Sequence, residues 1–92
     1  MTDTLPHLLA RSDEAMESRV GDETVILHLG SGTYFGLDPV GTRVWELLAE
    51  PRGLADVCAR MQDEFDVAPD VLRADVRAFL ESLLAHEIVR PA

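Results

Sequence analysis

The side chains able to do chemistry in this 92-residue chain are three histidines, one cysteine and 17 carboxylates. Their spacing does not assemble a reaction centre. His7, His28 and His86 lie far apart, and no HExxH, CxxC, GxSxG or Walker-type glycine loop occurs. Gly30-Ser31-Gly32 is a lone glycine turn with no helix start directly after it, so it reads as a hairpin rather than a phosphate cradle. His28 alternates with Val25, Leu27 and Leu29 and falls on the strand face opposite those three, which predicts a surface histidine. Cys58 lies within an apolar helical stripe and is expected as a buried structural thiol. The carboxylates are scattered: Asp13, Glu14, Glu17, Asp22 and Glu23 flank strands, and Asp56, Asp63, Glu64 and Asp66 surround a helix. They read as solvated faces, not a metal cluster. The expectation is a chain without catalysis, metal or cofactor.

Formal net charge is −9. Such a balance repels phosphate backbones, whose binding depends on cations displacing condensed counterions, and it disfavours anionic membrane surfaces. No nucleic-acid or membrane partner is therefore expected. A single cysteine forms no internal disulfide, no apolar run reaches the roughly 18 residues of a membrane span, and Met1-Thr2-Asp3-Thr4-Leu5 lacks the character of a signal peptide. A cytoplasmic location is expected. The length suits one small domain, whose core gives a net stability of only about 3–5 kcal/mol, so a partner that completes the fold would matter.

The elements that position these residues follow from periodicity. Residues 1–13 carry little pattern and read as an N-terminal arm that frays or docks. Ala15–Val20 alternates weakly, Gly21-Asp22 suits a tight turn, and Thr24–Leu29 is rich in β-branched and aliphatic residues. After Gly30-Ser31-Gly32, Thr33–Leu37 makes a third strand, placed at the edge of an antiparallel meander. Asp38 then suits an N-cap and Pro39 the first helical position. Val40, Val44, Leu47 and Leu48 recur at helical spacing with Trp45 beside them, until Glu50-Pro51-Arg52-Gly53 breaks the helix. Leu54, Val57, Cys58, Met61 and Phe65 mark a second helix. Pro69 opens a third, with Leu72, Val76, Phe79, Leu80 and Leu83 inward, ending near His86, and Ile88-Val89 adds a brief extended segment. The predicted class is α+β, winged helix-turn-helix-like, with an N-terminal three-stranded antiparallel sheet followed by three helices.

That order invites a DNA-binding reading. The third helix, however, carries Asp70, Asp75 and Glu81 against Arg73 and Arg77, the reverse of a groove-reading balance. Surface recognition fits better. An exposed third strand accepts an incoming strand, and the small stripe Ala74, Ala78 and Ser82, bordered by Val71 and Arg77, could floor a shallow groove. Alanine is equally a good helix former, and the residues alone leave both readings open.

The run Val25–Leu48, with its glycine turn, Tyr34-Phe35 pair, Leu37-Asp38, Gly41 and Val44-Trp45, is similar to the PqqD family. So is Asp75-Val76-Arg77-Ala78-Phe79-Leu80-Glu81-Ser82-Leu83-Leu84, and the likeness spans about residues 14–90. The resemblance implies an arm over 1–13 and a PqqD-like leader-peptide-binding domain over 14–92. It also implies non-catalytic recognition of the leader region of a ribosomally synthesised precursor peptide. The leader would add as a strand to the third strand, in a cleft shared with the third helix. The implied contacts are Thr33, Tyr34, Phe35, Gly36, Leu37, Val71, Ala74, Asp75, Arg77 and Ala78. Gly32-Thr33-Tyr34-Phe35-Gly36-Leu37-Asp38 is more similar to the B1 proteins of lasso-peptide pathways than to PqqD itself. That likeness implies a leader with a spaced Tyr, Pro and Leu pattern, a separate B2-type leader protease, and a cyclase acting afterwards. His86-Glu87-Ile88 departs from the family, which often has a glycine before its last apolar pair. The rival readings are a PqqD-type peptide chaperone for a radical SAM enzyme, an acidic winged-helix regulator, and a small hydrolase or acyl-carrier accessory, which no nucleophile constellation supports. A monomer or weak homodimer is expected, since an open strand edge can pair with a second copy.

Overall fold

The computed structural model describes residues 5–21 and 23–92. Expectations resting on Met1–Thr4 or on Asp22 lie outside the described residues.

The chain forms β1 (Leu9–Arg11), β2 (Ala15–Val20), β3 (Glu23–His28), β4 (Thr33–Leu37), α1 (Pro39–Leu47), α2 (Leu54–Gln62), α3 (Pro69–Ala85) and β5 (Val89–Pro91). The meander is as expected: β2, β3 and β4 pair antiparallel in chain order, with Ile26 opposite both Glu17 and Phe35. Gly21 and Gly32 adopt φ of +64° and +69°, the left-handed values tight turns use and glycine adopts without strain. Each helix begins where the sequence places it. Asp38 caps α1 by accepting a 2.6 Å bond from the Gly41 N–H, with Pro39 following.

One pairing has no counterpart in the sequence reading. Leu9–Arg11, inside the stretch read as an arm, is a strand that pairs antiparallel with β5 in a second, two-stranded sheet. Leu9 is fully buried, and its backbone exchanges bonds of 2.8 and 3.0 Å with Arg52 in the linker between α1 and α2. The approach is close enough that a Cβ at Gly53 would lie 2.5 Å from the His7 carbonyl oxygen, so only glycine fits there. Arg11 completes the lock. Its guanidinium lies 4.2 Å over the Trp45 ring and donates to the Trp45 carbonyl.

The core lies between the meander and the helices. Ile26 and Leu37 meet Val44, Trp45 and Leu48 of the α1 segment, Val57 and Met61 of α2, and Leu72, Val76, Leu80 and Leu83 of α3. The buried Trp45 indole donates to Glu17 Oε1 at 2.7 Å, which satisfies its one polar atom.

The strand face of His28 is a correction. Thr24, Ile26 and His28 face the helices, and His28 is only 6% exposed. Its Nδ1 accepts from the Ser31 N–H at 3.1 Å, so the ring holds the hairpin turn together. The opposite face carries Val25 and Leu27, half-buried, and is covered by no described element, so Met16, Leu29 and Tyr34 are exposed. Alternation correctly separated the two faces of β3. Counting aliphatics chose the wrong one as inward, because this sheet leaves its more aliphatic face bare.

Candidate functional site

β4 has β3 on one side and, among the described residues, no strand on the other. Its outer backbone edge is therefore available for pairing. Thr33, Phe35 and Leu37 point to the helix side of the sheet; Tyr34, 69% exposed, and Gly36 point to the bare side.

One ring contact ties the end of α3 to β4, and a cavity lies between α3 and the α1 segment that follows the strand. The Phe35 ring meets the His86 ring edge-on, with centroids 4.9 Å apart and planes at 65°. Toward the other end of β4, Asp38, Val40, Gly41 and Val44 of the α1 segment and Asp75, Val76 and Phe79 of α3 enclose an open cavity of about 230 Å³. Along α3 the residues Asp75, Phe79, Ser82 and His86 follow one another at helical spacing, so they form one stripe facing the cleft. Gly41 lets α1 approach it: a Cβ there would lie 3.1 Å from the Phe79 ring.

The structure brings part of the expected set together. Thr33, Tyr34, Phe35, Gly36 and Leu37 form the open strand, and Asp75 lines the cavity. Val71 and Ala78 are exposed on α3, four residues before and three after Asp75. Ala74 is exposed and lies nearly opposite the buried Val76 around the helix, away from the cleft. Arg77 lies on the flank turned toward α2, where it and Arg73 act on Cys58. Asp38, Val40, Gly41, Phe79 and His86 were missed as site residues. Asp38 was read only as a cap and Phe79 only as core. The Asp75, Phe79, Ser82, His86 spacing marks one face of α3, whereas nothing in the sequence pairs Asp38, Val40 and Gly41 with that face.

Electrostatics separate the cleft from the rest of the surface. Arg43 is held by Glu64 at 2.7 Å and by Glu46, Arg52 by Asp56 at 2.7 Å and by Glu50, Arg60 by Asp56, and Arg19 by Glu46. The charged residues lining the cleft cavity are both acids, Asp38 and Asp75. Elsewhere, a polar hollow of about 400 Å³ is lined by Ser12, Glu14, His28, Gly30, Ser31 and Glu87. Cys58 borders a third hollow with Arg73. Burial pushes its thiol above the ordinary cysteine value, against the opposing pull of Arg73 and Arg77, which keeps it protonated and poorly nucleophilic. Among the described residues no three of His, Cys, Asp and Glu converge as metal ligands, and no helix is long and apolar enough to cross a membrane.

A small α+β domain with a free-edged meander, faced by its last helix across a cleft, is built as a PqqD-like recognition element. The family model described as coenzyme PQQ synthesis protein D (PqqD) matches residues 23–89, and the chain belongs to the PqqD family. Among solved structures it is similar to TbiB1 in complex with the TbiA(beta) leader peptide. The identity is 36% over 90% of this chain and 96% of that one, and the TM-score is 0.81. A lasso peptide synthetase B1 complexed with its leader peptide shares the fold, with a TM-score of 0.79 and 22% identity over 90% of this chain and 98% of the other. Curated protein sequences offer no match.

Proposed function

We propose that this protein is a non-catalytic recognition domain that holds the leader region of a ribosomally synthesised precursor, of the lasso-peptide kind, as an added strand on β4. It presents that leader to a separate protease, with a cyclase acting afterwards. The observation that carries this reading is the unpaired edge of β4 lying open beside the α3 stripe. The TbiB1 complex with its leader peptide supports it.

The mechanism follows from the geometry. Main-chain groups of Thr33–Leu37 set the register, and alternate leader side chains turn inward toward Phe35, Val71, Asp75, Ala78 and Phe79. About four ladder bonds at roughly 1 kcal/mol net each, with about two apolar anchors at roughly 1.5–3 kcal/mol each, give a gross gain near 7–10 kcal/mol. Ordering a flexible leader takes back several kcal/mol, which leaves micromolar to submicromolar affinity.

The test is calorimetric titration with a synthetic leader from a neighbouring precursor gene, followed by N-methylation of its residues one at a time. In an added strand only alternate N–H groups face β4. Binding is expected to be one-to-one, and loss on N-methylation is expected to alternate along the bound stretch. Uniform tolerance to N-methylation would rule out strand addition. Absence of binding by the folded protein would rule out this client.

A further inference from the structure

We infer that the cleft cavity selects a basic side chain, lysine or arginine, on the leader strand. This rests on the leader-recognition reading and adds the chemistry of the residue that is held. The cavity of about 230 Å³ falls below the roughly 300–1,000 Å³ typical of small-molecule sites, so it fits one side chain rather than a metabolite. It is lined by the apolar Val40, Val44, Val76 and Phe79, by Gly41, and by two acidic residues, Asp38 and Asp75.

A purely apolar side chain would fill those walls but strip water from two carboxylates without replacing it. An acidic one would be repelled. A lysine or arginine lays its aliphatic stem on the valines, offers its head to the carboxylates, and can rest a guanidinium on the Phe79 ring. Asp38 accepts the Gly41 N–H with Oδ1 and so already offsets the positive end of α1. Asp75 is exposed on α3 and lines the opposite wall. Among the described residues no basic side chain lines the cavity, so the charge of Asp75 is left for a ligand to meet.

The experiment uses the whole chain and the same synthetic leader. The double variant Asp38→Asn/Asp75→Asn removes both charges and keeps the shape. Asparagine caps a helix as well as aspartate, so the fold is retained, and a thermal melt checks it. The expected result is roughly tenfold weaker binding at low salt, with the gap to the parent protein closing near about 0.5 M salt. The remote control Glu50→Gln/Asp63→Asn, which removes as much charge outside the cleft, is expected to bind as the parent does. Replacing each leader lysine or arginine by norleucine then finds the occupant: the one position whose loss the double variant no longer feels. Equal or tighter leader binding by the double variant overturns the inference and leaves the leader reading standing. A loss that is the same at low and high salt also overturns it, because a neutral donor such as a phenol would then be the occupant. Failure of the parent protein to bind the leader removes the underlying reading instead.

Discussion

At Glu87 the chain adopts φ of +60°, the left-handed conformation that glycine takes without strain. Around it α3 closes in a Schellman arrangement. The Ile88 N–H donates to Leu83 O at 2.9 Å and the Glu87 N–H to Leu84 O at 3.1 Å, while Ile88 and Leu83 are both buried. This is where the sequence departs from the family's usual glycine, and the backbone still makes the turn that a glycine would. A side chain in this conformation costs about 1–2 kcal/mol. Glu87→Gly is therefore expected to stabilise the protein by roughly 0.5–1 kcal/mol, after the added freedom of the unfolded chain is subtracted. Calorimetry should show the midpoint rising by a few degrees. A fall would mean that the Glu87 side chain, which borders the polar hollow beside His28, makes a contact worth more than the strain.

Among the elements, β1 is the one whose importance exceeds its length. Three residues pair with β5, yet Leu9 reaches the centre of the core. Leu9→Ala is expected to cost about 2–5 kcal/mol, close to the whole stability of so small a domain. Leu8→Ala, at a position 42% exposed, should cost no more than about 0.5 kcal/mol. Urea titration of the two variants would show whether residues before Ala15 belong to the folding unit, and equal midpoints would contradict it. The other elements were legible because each carries its own local period: β-branched runs in β3, stripes through Val57 and Met61 or Leu72 and Val76, and Asp38-Pro39 at a helix start. The pairing of β1 with β5 was not, because it joins the two ends of the chain and three residues show no period. The candidate site was half legible for a related reason. The strand edge follows from element order, whereas Phe79 and Asp38 enter the site only through the packing of α1 on α3.

For the molecule as a whole, charge sets the response to acid. The hydrogen bond from Arg52 holds Asp56 below the ordinary carboxylate range, and that from Arg43 does the same for Glu64. A carboxylate with a depressed folded value binds protons more readily in the unfolded chain. Its contribution is present above the unfolded value, near pH 4, and is lost as pH falls through the folded one. Both carboxylates are at the surface, so the contribution is modest and screened by salt. Stability is expected to be level above about pH 5 and to fall below about pH 4. In Arg43→Gln, which releases Glu64, that fall should be shallower. Identical acid limbs in urea melts across pH would remove Glu64 from the account.

The β1–β5 pairing also governs how this domain can be joined to others. The Ala92 N–H donates to Leu8 O at 3.1 Å, so the pairing holds the backbone at Leu8 and at Ala92 side by side. The same adjacency favours circular permutation: a tether from Ala92 back to Leu5, with new ends cut into the Gly30–Gly32 hairpin, would keep each strand pairing and the Leu5 packing. It would also move the chain ends to the Thr33 side of the open edge, where an appended peptide could reach its own binding strand.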